Sequence, residues 1–160
     1  MFKFLKKNKE IELISPMTGD IIPLEEVPDP VFSEKMMGDG IAIEPSEGKV
    51  LSPIDGKIAT IFPTNHAIGL VNKEGLEILI HIGIDTVELK GEGFTRIAEE
   101  GKGVKKGDLL MEVDLEKLKE GGKPTVTPII ITNMDKVEKI EKNSGKVEGG
   151  NNSIFTVYLK

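Results

Sequence analysis

The sequence predicts an all-β protein, an antiparallel sandwich or barrel-like fold with one or two short surface helices. Glycine (18 residues) and proline (9 residues) are abundant in the 160-residue chain, and this density of turn-forming residues favours many short strands over long helices. From Ile11 onward, short apolar runs are separated by turn signals about every ten residues, as in sandwiches and barrels. A weak internal echo, in which residues 15–22 resemble residues 52–59, indicates two related halves.

The elements follow in chain order. Residues 1–10 are predicted to form a basic, flexible tail, and residues 11–160 a single domain. The tail carries Lys3, Lys6, Lys7 and Lys9. Within the domain, a helical pattern is found at residues 114–120 and 134–142; both segments are short and charged on one side, which predicts surface helices. Residues 146–160 indicate a turn followed by a last strand.

Composition and charge exclude several classes of protein. The chain has no cysteine, which excludes disulfides, thiolate metal sites and cysteine nucleophiles. The formal net charge is −6 and Arg96 is the sole arginine, which argues against a nucleic-acid-binding face. The tail lacks the apolar core of a signal peptide, and no stretch approaches the ~20 apolar residues of a membrane span, so we expect a cytoplasmic protein. Its basic tail is either solvated or a weak anchor on an anionic membrane.

The chain contains two histidines, His66 and His81, with a hairpin signal at residues 72–75 between them. If the turn is centred between Lys73 and Glu74, the histidines are direct cross-strand partners with Cβ atoms about 5 Å apart. Their face of the hairpin is then predicted to carry Ile68, Leu70, Glu77 and Leu79. The core-facing residues are then predicted to be Ala67, Gly69, Val71, Leu76, Ile78 and Ile80. A bulge at Gly69 would break this register.

Adjacent imidazoles can bind a metal ion, relay a proton, or combine a nucleophile with a positioning partner. A closed zinc site needs further ligands, for which Glu77, Asp85 and Asp29 are candidates, but no HxH or HExxH spacing is present. The remaining chemistry is attack of one imidazole nitrogen on a phosphoryl group that the other ring stabilises. From spacing alone, the structural, metal-binding and phosphotransfer interpretations all stay open.

The segments around the histidines resemble a known family. His66 lies in IFPTNHAIGL and His81 in LEILIHIGIDTVELKGEGF, with VPDPVFSEKMMGDGIAIEP and SPIDGKI upstream and RIAEEGKGVKKGDLL and TPIIITNMD downstream. In this collinear order, from Ile11 to the C-terminus, the sequence resembles the glucose-type enzyme IIA family of the bacterial phosphoenolpyruvate-dependent sugar phosphotransferase system. The initiator Met and the length of the chain lead us to expect the stand-alone form of that family, with a domain excised from a fused permease as the alternative.

The resemblance implies a barrel-sandwich hybrid fold and a phosphotransferase that acts through a phosphohistidine and requires no cofactor. The phosphoryl group would pass from the phosphocarrier protein HPr to the chain, and then to a cysteine on the enzyme IIB domain of a sugar permease. The protein would therefore work at the cytoplasmic side of that permease, with its basic tail adding weak membrane association.

The resemblance also implies roles for individual residues. His81 is expected to accept the phosphoryl group, His66 to stabilise it by hydrogen bonding, and Thr64 to orient the His66 ring. The residues expected to bind partners are Asp29, Val31, Phe32, Met36, Met37, Phe62, Leu79, Asp85 and Val87. Some relatives also bind regulatory targets, namely permeases and kinases, in some cases through a zinc ion shared by the two histidines. The resemblance therefore makes His66 and His81 a candidate zinc site as well.

Two rival hypotheses belong to other classes of protein. A biotinyl or lipoyl carrier module shares glycine-turn strands such as GKGVKKGDLL, and Lys35 beside Met36 is similar to its modifiable lysine. That module leaves the histidine pair unexplained, and Lys35 lacks the methionine on its N-terminal side. A zinc-binding regulatory domain would use His66 and His81 without any transfer activity.

Overall fold

The computed structural model describes residues 9–160, and the predicted tail therefore lies largely outside the described residues. Its last two positions belong to the folded body. Lys9 forms an ion pair with Glu74 at 3.1 Å, and Glu10 opens the first strand. Strands dominate the described chain, which confirms the prediction of an all-β protein.

Within residues 9–160, fourteen strands form three antiparallel sheets. The strands are β1 (Glu10–Ile14), β2 (Gly19–Pro23), β3 (Asp39–Pro45), β4 (Lys49–Leu51), β5 (Gly56–Ile61), β6 (Ala67–Val71), β7 (Glu77–His81), β8 (Phe94–Arg96), β9 (Gly103–Val104), β10 (Leu109–Val113), β11 (Thr127–Ile131), β12 (Val137–Lys142), β13 (Gly145–Val147) and β14 (Ser153–Leu159). The largest sheet has the order β9-β5-β6-β7-β11-β3-β2-β13, and the two smaller sheets have the orders β4-β10-β8 and β12-β14-β1. The largest sheet does not close on itself, so the architecture is a sandwich.

The two faces of the largest sheet pack into different apolar clusters. The main core contains residues of all three sheets, including Leu13, Ile43 and Met111. Strand alternation sends every second side chain to the other face, where Ala42 and Ile130 belong to a smaller buried cluster. This second cluster lies beneath the loops that carry the candidate site.

Short helices complete the described chain. The α-helices are α1 (Pro30–Ser33) and α2 (Leu115–Glu120), and 3-10 helices cover Leu24–Glu26, Thr86–Leu89 and Met134–Lys136. The predicted helix at residues 114–120 is confirmed, with the Asp114 side chain capping it by accepting from the Lys117 amide. In residues 9–160, no helix has the length and apolar character needed to cross a bilayer.

The prediction of a helix over residues 134–142 is wrong, because this segment becomes the edge strand β12 after one 3-10 turn. Val137 and Ile140 are three residues apart, a helical spacing, yet both pack on the core. A register irregularity between Val137 and Lys139 allows this, since an extra residue in a strand returns the next apolar side chain to the same face.

The internal sequence similarity between residues 15–22 and residues 52–59 corresponds to two equivalent turns. The hydroxyls of Ser15 and Ser52 donate to the carbonyls of the residues two positions later, at 2.5 and 2.7 Å. The Ile14 amide donates to the Pro53 carbonyl at 3.1 Å, and the Leu51 amide donates to the equivalent proline carbonyl at 2.8 Å. The two similar segments are thus joined reciprocally, as expected of related halves.

The hairpin between the histidines forms, but its register differs by one residue from the prediction. His81 pairs with Ala67, Ile68 with Ile80, and Val71 with Glu77. The turn is centred on Glu74, because the Asn72 side chain accepts from the amides of both Glu74 and Leu76. The irregularity near Gly69 lies between β5 and β6 and leaves the hairpin ladder unbroken.

The one-residue shift reverses the predicted faces of β6. Ile68 and Leu70 pack in the main core, whereas Ala67 belongs to the second cluster. The predicted core positions on the returning strand, Ile78 and Ile80, are confirmed. The site face therefore presents small residues of β6 next to His81.

Candidate functional site

His66 and His81 are adjacent in space. Their ring centroids are 5.2 Å apart and their planes are inclined by 77°, an edge-to-face arrangement. His81 ends β7, and His66 immediately precedes β6, where its carbonyl accepts from the Ile82 amide at 2.7 Å. The hairpin therefore brings together the two histidines of the chain, although Ala67 is the ladder partner of His81.

The His81 ring is held by the backbone of the loop that follows it. Its Nδ1 lies 2.8 Å from the carbonyl oxygen of Gly83, which can only accept a hydrogen bond. Nδ1 therefore carries the proton, and Nε2 presents a lone pair. The amide of the same peptide, on Ile84, donates to the Pro124 carbonyl at 3.0 Å, and the preceding Gly83 amide donates to the Thr127 hydroxyl at 3.3 Å, so the backbone that holds the ring is fixed on both sides.

The His66 ring is held by a side chain of the turn before it. The Thr64 hydroxyl lies 2.5 Å from Nδ1, so Nε2 is left for a bound group. His66 as a residue is 6% exposed, and the Phe62 ring meets its ring edge-to-face with centroids 5.3 Å apart. Phe32 lies beside the other histidine, with its centroid 5.0 Å from that of His81.

Both histidines favour the neutral form. Burial, and secondarily repulsion from His81, lowers the pKa of His66 to about 4. Burial also lowers the pKa of His81, against the opposing effects of the Gly83 carbonyl and the negative charges of Asp29 and Asp85. Near neutral pH the site therefore contains two uncharged imidazoles, and a neutral imidazole nitrogen is a competent nucleophile.

The depressed pKa of His66 predicts a loss of stability in acid. The unfolded chain binds a proton at the ordinary value of 6.5, whereas the folded chain binds it only near pH 4, so stability falls as pH decreases through this window. We expect the thermal midpoint of the wild type to drop more across this window than that of His66→Gln. Thermal unfolding of both proteins over this pH range measures the difference; parallel curves would contradict it.

The expected partner-binding residues divide into exposed and buried groups. Met36 (68% exposed), Val87 (50% exposed), Met37 and Phe62 present apolar surface. Val31 is half-buried against the second cluster. Phe32 and Leu79 are buried, so they support the site from below and offer little area for docking.

Asp29 and Asp85 have structural roles in the loops beside His81. Asp29 caps α1, because its carboxylate accepts from the Val31 amide at 3.0 Å. Asp85 adopts a left-handed backbone conformation, with φ of 59°, before the 3-10 helix Thr86–Leu89. Glu77 is exposed and accepts from the Thr132 hydroxyl. Among residues 9–160, no group of three or more His, Cys, Asp or Glu side chains is arranged to hold a metal ion.

Backbone strain is concentrated around the site. In the described chain, the non-glycine residues with positive φ are Lys35, Asn65, Asp85 and Lys90. Lys35 precedes Met36, Asn65 precedes His66, and Asp85 and Lys90 flank the 3-10 helix that carries Val87. Such conformations cost on the order of 1 kcal/mol each and persist where surrounding contacts hold them, a pattern typical of functional loops.

Sequence reasoning did not identify two residues at this edge of the molecule. Ile97 is an exposed apolar side chain (46%) directly after β8. Arg96 at the end of β8 donates to the turn that precedes His66. For Arg96 a signal existed in the sequence, since it is the sole arginine of the chain.

The fold and the site first define a class, a β-sandwich phosphotransferase that acts through a phosphohistidine. The family model described as "phosphoenolpyruvate-dependent sugar phosphotransferase system, EIIA 1" matches residues 11–137, and the chain belongs to this family. The chain is 50% identical over 154 residues to the "PTS system glucose-specific EIIA component" of Haemophilus influenzae, covering 95% of this chain and 93% of that protein.

Further comparisons agree. The Bacillus cereus protein of the same name is 48% identical over 165 aligned positions, covering 100% of both chains. The solved structure of glucose permease IIA from Mycoplasma capricolum superposes with a TM-score of 0.84 at 40% identity, covering 93% of this chain and 96% of that one. The chain functions as a phosphoryl relay in sugar uptake and interacts with HPr and enzyme IIB partners. The carrier-module alternative is not favoured, and Lys35 is occupied in an ion pair with Glu25 at 3.1 Å.

Proposed function

We propose that Nε2 of His81 accepts the phosphoryl group from the phosphohistidine of HPr and passes it to a cysteine of an enzyme IIB domain. The hydrogen bond from Nδ1 to the Gly83 carbonyl carries this proposal, because it directs the lone pair of Nε2 away from the loop. As the new N–P bond forms, the N–P bond to HPr breaks, and the proton stays on Nδ1 of His81, which keeps its hydrogen bond to the Gly83 carbonyl. The names of the relatives support glucose as the sugar served by the relay.

His66 is the stabilising group in this proposal. The Thr64 hydroxyl lies 2.5 Å from Nδ1 of His66 and acts here as the donor, so that Nε2–H is available to donate to a phosphoryl oxygen; this direction is part of the proposal. Because the pKa of His66 is lowered to about 4 before the phosphoryl group arrives, the ring meets that group as a neutral hydrogen-bond donor. A neutral donor stabilises the transferring phosphoryl group without binding it too tightly, which suits a protein that must pass that group on.

The surroundings of the pair suit the survival and transfer of a phosphohistidine. Phe32 and Phe62 flank the two rings and limit the access of water. The exposed apolar side chains Met36, Met37 and Val87, with Val31 at their edge, form the docking surface for both partners. Asp29 and Asp85 add negative charge near His81, where a basic residue of a partner would be attracted.

The His66→Gln variant is expected to accept the phosphoryl group from HPr but to transfer it poorly to enzyme IIB. Acceptance depends on the lone pair of His81, which this substitution leaves in place. Passage from the phosphorylated chain to enzyme IIB also depends on the imidazole N–H of His66 in this proposal, so we expect it to slow by at least about tenfold. The chain is incubated with phosphoenolpyruvate, enzyme I and HPr. Intact mass then measures acceptance, and loss of label to enzyme IIB measures transfer. Transfer from His66→Gln at the wild-type rate would contradict the role of His66.

Several finer features belong to the same proposal. The protein works in the cytoplasm beside the permease, and its basic N-terminal residues add weak membrane association; residues 1–8 lie outside the described part of the chain. Regulatory targets, such as permeases and kinases, would use the same docking surface.

A regulatory zinc ion would bind Nε2 of His66 and of His81. It would take its remaining ligands from the partner, since residues 9–160 offer no third ligand in a cluster.

A further inference from the structure

Arg96 connects a second sheet to the turn that carries the stabilising histidine. It ends β8 in the sheet β4-β10-β8, whereas His66 precedes β6 in the largest sheet. Its Nε donates to the Asn65 side-chain oxygen at 2.8 Å, and its Nη2 donates to the Phe62 carbonyl at 3.2 Å. These contacts bridge 31 and 34 residues of sequence, so they are tertiary contacts between separate sheets.

The turn held by Arg96, residues 62–65, determines where Thr64 lies. The Asn65 amide donates to the Phe62 carbonyl at 2.7 Å, which closes the turn, and Asn65 has a φ of 63°. Thr64 lies within this turn, and its hydroxyl holds Nδ1 of His66. Opening the turn would therefore move the hydroxyl that, as the proposed donor to Nδ1, keeps the proton of His66 on Nε2.

A guanidinium group is suited to this task. Its donors form a rigid planar fork, so Arg96 can bond the Phe62 and Asn65 ends of the turn at once, which a single ammonium cannot do with the same geometry. The contact with Asn65 also offsets the cost of the left-handed conformation at that residue. Glu100, which follows β8, makes a further contact with the end of β5: its carboxylate accepts from the Ile61 amide at 2.8 Å. This hydrogen bond is the main reason why the pKa of Glu100 lies below its ordinary value.

We infer that Arg96 is a positioning residue for phosphoryl transfer: it holds residues 62–65 so that Thr64 keeps the His66 ring with Nε2–H directed to the phosphoryl group. The inference rests on the proposed function. Because His81 is held separately, by the Gly83 carbonyl, Arg96 acts on the step that depends on His66 and has little effect on acceptance.

The test compares Arg96→Ala and Arg96→Lys with the wild type. Lys102→Ala is the matched control, since it removes one positive charge from an exposed position on the connection between β8 and β9. The first readout is the ¹⁵N chemical shifts of the His66 ring, which report the protonated nitrogen without any partner protein. The second readout is the pair of single-turnover rates for acceptance from HPr and transfer to enzyme IIB.

For Arg96→Ala we expect transfer to slow by about tenfold and acceptance to change by less than about twofold, because a misplaced donor affects only the step it serves. The His66 ring shifts should move toward a mixture of tautomers. Arg96→Lys should fall between Arg96→Ala and the wild type, and Lys102→Ala should match the wild type. Unchanged ring shifts and unchanged transfer in a folded Arg96→Ala would overturn the inference.

A second variant covers the case in which Arg96→Ala fails to fold. Asn65→Gly removes the acceptor of Nε while suiting the left-handed backbone, so it should reproduce part of the transfer defect. Wild-type transfer and ring shifts in Asn65→Gly would count against the inference. If the wild-type chain accepts no phosphoryl group at all, the proposed function fails, while the ring shifts of Arg96→Ala still decide whether Arg96 sets the His66 tautomer.

Discussion

His81→Gln is expected to abolish phosphorylation of the chain by phospho-HPr. The amide nitrogen of glutamine has no lone pair available for attack, because that pair is delocalised into the carbonyl. We do not expect His66 to replace His81, because in the proposed arrangement its Nδ1 accepts from Thr64 and its Nε2 carries the proton, so no lone pair is free for attack. Incubation with phosphoenolpyruvate, enzyme I and HPr, followed by intact mass and a test for acid-labile phosphate, should show one phosphoryl group on the wild type and none on His81→Gln.

His66→Gln serves as the matched control for this experiment, because it removes the neighbouring imidazole and leaves the acceptor in place. It should still gain one acid-labile phosphoryl group. Acid-labile phosphate on His81→Gln would reject His81 as the acceptor. No phosphate on the folded wild type, with HPr shown to be competent, would reject the relay and favour the zinc-binding interpretation of the histidine pair.

Gly83→Ala is expected to impair both stability and acceptance. Gly83 has a φ of +74°, and a Cβ atom there would lie 2.6 Å from Thr86 Cγ2 and 3.0 Å from the Pro124 carbonyl oxygen. Both contacts are too close, so the loop must move, and we expect a destabilisation of roughly 2–4 kcal/mol. The same movement displaces the carbonyl that holds Nδ1 of His81, so acceptance should slow by about tenfold or more even under conditions where the variant is folded.

Gly122→Ala isolates the effect of the backbone conformation from that of the close contacts. Gly122 has nearly the same φ, +75°, and no atom within 4 Å of the Cβ position. Its alanine variant should lose on the order of 1 kcal/mol and keep full acceptance. Urea unfolding and single-turnover phosphorylation of both variants provide the comparison. Equal losses of stability in the two, or normal acceptance by Gly83→Ala, would show that the Gly83 loop tolerates the added side chain.

Local patterns explain most of the successful predictions. Turn residues and apolar runs indicate strands wherever they occur, and Asp114 before a charged segment marks the start of α2. The proximity of His66 and His81 follows from a hairpin signal between two apolar runs. This proximity survives an error of one residue in the register, because the neighbouring positions of a hairpin remain close together.

Two predictions, the helix at residues 134–142 and the register of the hairpin, were wrong by the effect of one residue each. The spacing of Val137 and Ile140 indicates a helix, but a bulge in β12 produces the same spacing in a strand. The register of the β6–β7 hairpin depends on which amides the Asn72 side chain bonds, and the position of that side chain is not readable from residue types. In both segments, a single additional residue changes which side chains face the core.

The sequence by itself determined the all-β class, the family, and the two histidines as the centre of the site, because these depend on residue types and on their order along the chain. Only the tertiary structure decided which ring nitrogen each histidine presents, since the Gly83 carbonyl and the Thr64 hydroxyl make that choice through hydrogen bonds. It also decided the position of Arg96 against the turn before His66, a contact between residues of two different sheets. Contacts of this kind depend on how the sheets pack against each other, which no local pattern in the sequence encodes.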